Sequence, residues 1–270
     1  MTTDAAKFTG DIPASYDLRL GPVIFADFAD EIAERAASFK PLRVLEIAAG
    51  TGIVTRKLRD KLGRDCELVA TDLNPPMLEI ARGKIAQDER VEFMQANAME
   101  LPFQDGEFDL VVCQFGVMFF PDKDKSYREV RRVLKPGGHY LFNVWDSFEH
   151  NSFARIAHET IGEFFASDKP TFYLTPTGYA NLDRIKASLQ AADFRDIAIQ
   201  VRQLEKLILR ARPFAEGLVL GNPSVTEITQ RGNAPPQVVI GAVEAALHKQ
   251  HGPDPMTISL QAIFVQARRP

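Results

Sequence analysis

Two carboxylates and two glycines in the first third of the 270-residue sequence have the types and spacing of a ligand site. Glu46 lies in an apolar run that is followed by Gly50 and Gly52, and Asp72 ends the next apolar run, 26 residues after Glu46. A glycine turn between a strand and a helix lets a ligand approach the backbone, where N–H groups are free at the helix start. A carboxylate at the end of the neighbouring strand accepts hydrogen bonds from both hydroxyls of a ribose. The two features together predict an adenosine-containing ligand.

The same turn lacks residues that other nucleotide sites need. From Gly50 the sequence reads Gly-Thr-Gly-Ile-Val-Thr, so Thr55 occupies the place where a dinucleotide fingerprint has its third glycine. No Gly-Lys-Ser/Thr follows the turn, which excludes a nucleoside-triphosphate loop. An NAD or FAD site is therefore disfavoured, and a nicotinamide-dependent oxidoreductase stays as a less favoured alternative.

Strands and helices alternate around this turn. Apolar runs bounded by turn residues predict five buried strands, at residues 43–47, 66–70, 91–95, 108–114 and 139–145. Helical patterns lie between them at residues 53–62, 75–87 and 125–135. Such alternation requires right-handed crossovers and a parallel sheet covered on both faces, and sheets of this kind bind ligands at the carboxyl ends of their strands.

The second half of the chain has a different pattern. Further helices are predicted at residues 152–166, 179–192 and 237–249, and further strands, antiparallel to each other, near residues 197–201 and 258–264. Glycine and proline interrupt residues 212–255 repeatedly, which is typical of short helices and turns. We therefore predict an α/β fold, a doubly wound, mostly parallel seven-stranded sheet with a helical cap. The core is expected at residues 40–210 plus 256–270, and the cap at residues 1–39, 148–175 and 211–255.

Composition indicates neither a membrane protein nor a nucleic-acid-binding one. Apolar residues make up 45% of the chain, charged residues 25%, and the formal net charge is −4. There is no signal-peptide pattern, and no run approaches the ~20 apolar residues of a membrane span. Cys66 and Cys113 are expected to be buried free thiols, in a cytoplasmic protein. The densest basic cluster has helical spacing and predicts a solvated helix face rather than a nucleic-acid site: Arg128, Arg131, Arg132 and Lys135.

Four motifs in order make the prediction specific. They are Glu46-Ile-Ala-Ala-Gly50-Thr-Gly52, then Asp72, then "ANAMELPFQDGEFDLVVCQFGVMFF" and "EVRRVLKPGG". In this order and spacing, over residues 40 to 146, the chain resembles the class I S-adenosylmethionine-dependent methyltransferases, with the match closest to the ubiquinone/menaquinone-biosynthesis-like branch, type 11. The resemblance implies a Rossmann-like methyltransferase fold, S-adenosyl-L-methionine as methyl donor, S-adenosyl-L-homocysteine as product, and a small-molecule acceptor.

The resemblance also implies which residues contact the cofactor. Its methionine part would pass the glycine turn, its ribose would lie on Asp72, its adenine between the next two loops, and its sulfonium near the end of the fourth strand. The residues so assigned are Ala48, Gly50, Thr51 and Gly52 in the turn, Asp72, Leu73 and Met77, Asn97 and Ala98, and Gln114 and Phe115. Glu46 is either a ligand contact or a helix-end partner, Met77 is equally a core residue, and Tyr16 is either a lid over the cofactor or ordinary packing of the cap.

Two residues depart from the family pattern. Ala48 stands where the family has its first glycine, so this position is expected to have an ordinary, negative φ. Asn97 stands where the family usually has aspartate, and its amide oxygen can still accept a hydrogen bond from an adenine amine. Both departures leave the site in place and predict a lower affinity at most.

The acceptor is the least determined part. The cap is rich in residues that line a greasy pocket or form the cap's own core: Phe164, Phe165, Phe172, Tyr173, Phe214 and Leu218. Methyl transfer from a sulfonium needs no triad and no metal, so no metal is predicted. His139, His150 and Tyr173 are weak candidates for a general base, and the catalytic residue stays unknown. A cofactor-binding protein without turnover is the second hypothesis. The oligomeric state is not predicted.

Overall fold

Seven strands form one sheet in the computed structural model, which describes residues 6–270. The strands are β1 Arg43–Ile47, β2 Glu67–Asp72, β3 Val91–Gln95, β4 Phe108–Gln114, β5 Leu134–Trp145, β6 Arg195–Ile208 and β7 Met256–Arg268. Their order is β3-β2-β1-β4-β5-β7-β6, with β1 to β5 parallel and β7 antiparallel to both of its neighbours. The predicted doubly wound, mostly parallel sheet is confirmed. Residues 1–5, which were predicted to belong to the cap, lie outside the described residues.

The strand limits follow the apolar runs closely. β1, β3 and β4 begin and end at the predicted residues, and β2 runs from Glu67 to Asp72, so buried Cys66 lies just before it. β5 begins five residues earlier than predicted, at Leu134. Leu134 is the parallel partner of Phe108 in β4, beyond a shift in register. Two long-range backbone hydrogen bonds, Gly137 N to Arg269 O and Arg269 N to Gly138 O, both 2.8 Å, hold the glycine turn of this extension against Arg269.

Eleven α-helices connect and cover the strands of residues 6–270. They are α1 Ile12–Ser15, α2 Ala26–Ser38, α3 Ile53–Lys61, α4 Pro75–Arg82, α5 Lys123–Val133, α6 Ser152–Gly162, α7 Leu174–Thr177, α8 Leu182–Ala191, α9 Ala211–Leu220, α10 Ser224–Arg231 and α11 Pro236–His251. On α5, Arg131 pairs with Asp193 at 2.6 Å and Arg132 with Asp105 at 3.0 Å. The basic helix face therefore holds neighbouring segments together through ion pairs.

Helix α2 lies on the sheet, although the sequence analysis placed residues 1–39 in the cap. One face of α2 is fully buried, at Phe28, Ala29, Ile32, Ala33 and Ala36, and the helix packs against α3 and the central strands. Helices α6, α9 and α11 pack on one another above the carboxyl ends of the strands. Only the segment before α2 joins that upper layer.

A ten-residue π-helix, Tyr16–Phe25, connects α1 to α2, and the sequence analysis did not predict it. Hydrogen bonds in a π-helix run from residue i to i+5, so a turn takes roughly four and a half residues. Two turns therefore bring residues nine apart onto one face, and the rings of Tyr16 and Phe25 stack with centroids 4.9 Å apart. The π-helix packs against α9, where Gly217 gives room to Leu20: a Cβ at Gly217 would lie 2.8 Å from the Leu20 side chain.

Among residues 6–270, no helix has both the length and the apolar character that a bilayer crossing requires.

We predict that Gly52→Ala is strongly destabilising. Gly52 precedes α3 with φ +80°, and a Cβ there would lie 2.7 Å from Ala81 Cβ and 2.8 Å from Ala81 Cα of α4. The variant must therefore strain its backbone and push two helices apart, which costs about 2–4 kcal/mol of unfolding free energy. Urea denaturation measures this loss. The matched control is Gly63→Ala, which has no atom within 4 Å of the added Cβ; equal losses in the two variants would contradict the close approach.

Candidate active site

A cavity of about 250 Å³ lies above the carboxyl ends of β1, β2, β4 and β5. It is located where the strand order reverses between β1 and β4, the place at which doubly wound sheets bind ligands. The π-helix covers one side of the cavity with Tyr16, Leu20, Ile24 and Phe25. Phe153 and Ala154 of α6 and Leu218 of α9 also line the cavity.

The turn after β1 contains three residues with positive φ: Ala48 at +54°, Gly50 at +57° and Gly52 at +80°. The expectation of an ordinary φ at Ala48 was wrong. The methyl group of Ala48 is accommodated from the facing loop, because Gly116 has no side chain there and a Cβ at Gly116 would lie 2.5 Å from Ala48 Cβ. A left-handed alanine costs about 1–2 kcal/mol, which the surrounding structure must supply.

Asp72 joins the second strand to this turn. Its Oδ2 accepts a hydrogen bond from Gly50 N at 2.9 Å, and its Oδ1 accepts from Asn74 N at 2.8 Å. The side chain is almost fully buried; burial raises the pKa of Asp72, and the N–H donors of Asn74 and Gly50 act in the opposite direction. Asn74 Nδ2 also donates to Oδ1, at 3.3 Å, so Oδ2 is the oxygen that keeps a lone pair for a ligand in the cavity that Asp72 lines.

Glu46 and Thr55 form a hydrogen-bonded pair between β1 and α3. Thr55, the residue that replaces a third glycine, donates from Oγ1 to Glu46 Oε2 at 2.6 Å in a fully buried pair. The helix-partner role of Glu46 is therefore real. Glu46 also lines a second, smaller cavity of about 30 Å³ beside Thr51. Burial raises the pKa of Glu46 to about 8.

An unpaired polar atom marks this small cavity. Thr51 is 1% exposed, and its Oγ1 has no hydrogen-bond partner within the part of the chain that the structure describes. A buried hydroxyl without a partner is costly. The N–H groups of Ala49, Gly50 and Gly52 are already engaged within the protein. The polar side-chain groups that fit the methionine end of S-adenosylmethionine are therefore Thr51 Oγ1 and the Glu46 carboxyl.

Leu73, Met77, Asn97 and Ala98 line the far end of the main cavity, where the sequence analysis placed the adenine. Met77 is 5% exposed and belongs to the hydrophobic core, so it packs in the core and lines the cavity at once. The Asn97 amide oxygen accepts a hydrogen bond from Met99 N at 3.0 Å. That oxygen keeps one lone pair for a further hydrogen bond, and the NH₂ group on the other arm of the amide is a donor.

Gln114 and Phe115 lie in the middle of the cavity lining. Phe115 has φ +49°, and its ring stacks on Trp145 with centroids 4.1 Å apart. Both residues hydrogen-bond to Asn143, a fully buried residue that the sequence analysis missed. The available signal was a lone polar residue inside the apolar run of β5.

The acceptor side of the cavity is aromatic. Phe8, Phe119 and Phe172 form edge and stacked contacts with centroids 6.1–6.3 Å apart, and the cavity lining continues through Trp145 and Phe153. Of the predicted cap residues, three line the cavity, namely Phe172, Tyr173 and Leu218, whereas Phe164, Phe165 and Phe214 are not part of its lining.

The predicted base candidates separate in the structure. His139 lies in the middle of β5, away from its carboxyl end, and packs on Phe39 with ring centroids 4.2 Å apart. Exposed His150 is not part of the cavity lining. Neither histidine lines the candidate site. Tyr173 lines the cavity, but its hydroxyl donates to Leu218 O at 2.5 Å, and burial raises the pKa of that phenol well above its usual value.

The fold and the site together define a class: S-adenosylmethionine-dependent methyltransferases with a Rossmann-like sheet. The model of the ubiE/COQ5 methyltransferase family matches residues 23–170. The chain belongs to this family, and S-adenosylmethionine is its cofactor.

Two curated relatives carry the name ubiquinone/menaquinone biosynthesis C-methyltransferase UbiE. The one from Idiomarina loihiensis is 32% identical over 177 residues, which cover 59% of this chain and 68% of the relative. The one from Escherichia coli K12 is 34% identical over 172 residues, 57% of this chain and 66% of the relative. The chain thus spans about two thirds of the length of each.

Two solved structures share the fold over most of the chain. YcgJ from Bacillus subtilis has a TM-score of 0.58 at 22% identity and covers 90% of this chain and 98% of its own. Phosphoethanolamine N-methyltransferase 2 from Haemonchus contortus, in complex with S-adenosyl-L-methionine, has a TM-score of 0.59 at 20% identity, with 96% and 56% coverage. The family match ends at residue 170, before α7 to α11, which provide part of the acceptor side.

We predict a pH-dependent stability difference between the wild type and Glu46→Gln. With a folded pKa of about 8 against an ordinary 4.5, Glu46 keeps a proton in the folded protein that the unfolded chain releases. Its stabilising contribution is therefore complete below about pH 4.5 and is lost as the pH rises to about 8. Glutamine does not titrate, so the unfolding free energy of the variant relative to the wild type should rise by about 2–4 kcal/mol from pH 5 to pH 8.5. Urea denaturation across this range measures it, and a constant difference would contradict the assignment.

Proposed function

We propose that this protein transfers the methyl group of S-adenosylmethionine to an electron-rich carbon of a small, largely apolar acceptor. The observation that carries the proposal is one continuous cavity. Its lining includes the polar groups of Asp72 and Gly50, the aromatic rings of Phe119 and Phe172, and the amide of Gln114. Such an arrangement supports the binding of a nucleoside and an apolar ring side by side.

The residues present fit the cofactor. We propose that Asp72 accepts hydrogen bonds from the ribose hydroxyls, that Leu73 and Met77 flank the adenine, and that the turn receives the methionine part. The full set of proposed cofactor contacts is Tyr16, Glu46, Ala48, Gly50, Thr51, Gly52, Asp72, Leu73, Met77, Asn97, Ala98, Gln114 and Phe115. The space beside Gly50 is open for the cofactor, because a Cβ at Gly50 would have only the Met77 methyl near it, 3.9 Å away.

The chain's own residues align the reactants and exclude water. When bound, S-adenosylmethionine supplies a methyl group already activated as a sulfonium. The aromatic side chains of the π-helix and of the acceptor wall remove water from the junction, and the rigid strand ends β4 and β5 fix the residues that face it. We propose that the cap consists of the π-helix, residues 148–175 and residues 211–255.

The acceptor has to bring its own nucleophile. Three titratable groups are in the described cavity lining: Asp72, which we assign to the ribose, and the phenols of Tyr16 and Tyr173, whose pKa values burial raises well above the usual value. A hydroxyl or amine that needs a base would find none there. An electron-rich carbon needs no prior deprotonation by the protein, and the C-methyltransferase names of the two relatives support this choice.

Other parts of the sequence-based interpretation stay predictions. They are the cytoplasmic location and the absence of a nucleic-acid partner, which the net charge of −4 supports. A protein that binds the cofactor without turnover is the alternative function, since the same site serves both.

Isothermal titration with S-adenosylmethionine, S-adenosylhomocysteine and NADH tests the cofactor site. We expect micromolar binding of the first two and none of NADH. Asp72→Ala should weaken S-adenosylmethionine binding by about 1.5–3 kcal/mol, because hydrogen bonds to a charged acceptor are lost. Circular dichroism of the variant establishes that it is folded. Unchanged affinity in a folded Asp72→Ala protein would remove the ribose assignment.

Turnover separates the enzyme from a binding protein. Transfer of a tritiated methyl group from S-adenosylmethionine to a panel of phenolic and enolic compounds, with the product located by NMR, gives the methylated atom. Labelled product with a new carbon–methyl bond supports the proposal. A new oxygen–methyl or nitrogen–methyl bond would overturn the choice of carbon.

We predict that Asn97→Asp binds S-adenosylmethionine more tightly. The one amide oxygen of Asn97 is shared with Met99 N–H, and the NH₂ group repels an adenine amine. Aspartate keeps the bond to Met99 and adds a second acceptor oxygen, worth about 0.5–1.5 kcal/mol, or roughly a two- to twelvefold lower Kd. Titration calorimetry measures the change, with Asn97→Ala as the matched loss of both functions. Equal or weaker binding by Asn97→Asp would exclude the adenine contact.

A further inference from the structure

A chain of two side-chain amides crosses the centre of the site. Asn143 near the end of β5 and Gln114 at the end of β4 are partners in the parallel register of the sheet. Asn143 is fully buried, and its Nδ2 donates to Gln114 Oε1 at 3.4 Å. Gln114 in turn lines both the main cavity and the small one.

The hydrogen bond to Phe115 fixes the orientation of the Asn143 amide. The backbone N–H of Phe115 donates to Asn143 Oδ1 at 3.0 Å, in addition to Asn143 O at 3.0 Å. A backbone N–H can only donate, so the amide oxygen of Asn143 must face it. The NH₂ group of Asn143 is thereby turned towards Gln114, which must answer with its oxygen.

The second end requires the same polarity. Gln114 Nε2 donates to Phe25 O at 3.3 Å, and a backbone carbonyl can only accept. Both ends therefore orient the Gln114 amide in the same way. Its oxygen is occupied by Asn143, and one of its two N–H groups by Phe25. Within residues 6–270, the second N–H of the Gln114 amide has no hydrogen-bond partner.

We propose that Gln114 is a specificity-determining residue that donates this N–H to an oxygen atom of the methyl acceptor. Asn143 is the positioning residue that keeps the donor, rather than the carbonyl, facing the cavity. The inference rests on the proposed function and names its substrate class: a flat ring that carries a hydroxyl or carbonyl oxygen beside Phe115 and Trp145. A ring with only a hydrogen-bond donor at that place would meet a second donor and be disfavoured.

Binding of two ring probes to protein saturated with S-adenosylhomocysteine tests the inference without turnover. The probes are 1-naphthol and 1-methylnaphthalene, which differ by one oxygen, and calorimetry gives both Kd values. In the wild type we expect 1-naphthol to bind roughly fivefold more tightly, the size of one neutral hydrogen bond. In Gln114→Met, which keeps the length of the side chain and loses the donor, the ratio should fall to about one.

Asn143→Asp tests the positioning role. Aspartate still accepts from Phe115 N–H but offers Gln114 Oε1 no N–H donor, so the Gln114 amide is held only by its bond to Phe25 O. The preference for 1-naphthol over 1-methylnaphthalene should therefore fall. A residue with a merely structural role would weaken both probes alike. Gln200→Met, the same exchange on the outer strand β6, is the control and should leave every ratio unchanged.

The outcomes separate the two proposals. Absence of S-adenosylhomocysteine binding to folded wild type would overturn the proposed function itself. Cofactor binding with an undiminished naphthol preference in Gln114→Met would overturn only the role of Gln114. Failure of 1-naphthol to bind the loaded wild type at millimolar concentration would also overturn the inference, since a ring of this class would then not enter the cavity. If Asn143→Asp fails to fold, the Gln114→Met ratio decides alone.

Discussion

The hydrogen bond between Gly50 N–H and the Asp72 carboxylate is the interaction on which the site depends. It joins two parts of the chain that are 22 residues apart, the turn after β1 and the end of β2. Because Asp72 is buried, its charge requires donors, and the turn can supply one only in its left-handed conformation. The same conformation brings Gly52 against Ala81 of α4. Ligand site and helix packing are therefore set by one local geometry.

Around this polar centre the protein is built from aromatic side chains that come from distant segments. Tyr16 and Phe25 reach the cavity from the π-helix, and Phe115 and Trp145 from neighbouring strand ends. The ring centroid of Phe25 lies 5.5 Å from that of Phe115 and 6.0 Å from that of Trp145. The π-helix is the geometry that puts Tyr16 and Phe25 on one face. Exclusion of water, which methyl transfer between two bound reactants requires, thus depends on an element with an unusual helical repeat.

Errors in the sequence-based interpretation have local physical causes. At Ala48 the penalty for a positive φ was weighed without Gly116, whose missing side chain accepts the methyl group. The early start of β5 depends on the pairing of Leu134 with Phe108 and on backbone bonds to Arg269, contacts that no local pattern reveals. His139 was a base candidate by residue type alone, and it lies in the middle of its strand, outside the cavity lining. Each error concerns a contact between residues that are remote in sequence.

The sequence by itself determined the alternating strands and helices, the glycine turn with its carboxylate partner, and hence the class of cofactor. These follow from period, from turn residues and from the rule that parallel strands end at one edge of a sheet, all of which act over short stretches of chain. The tertiary structure alone decided the π-helix, the division of the predicted cap residues into cavity lining and cap interior, and the orientation of the Gln114 and Asn143 amides. Those features are fixed by hydrogen bonds and packing between segments far apart in the chain, and local pattern carries no information about such contacts.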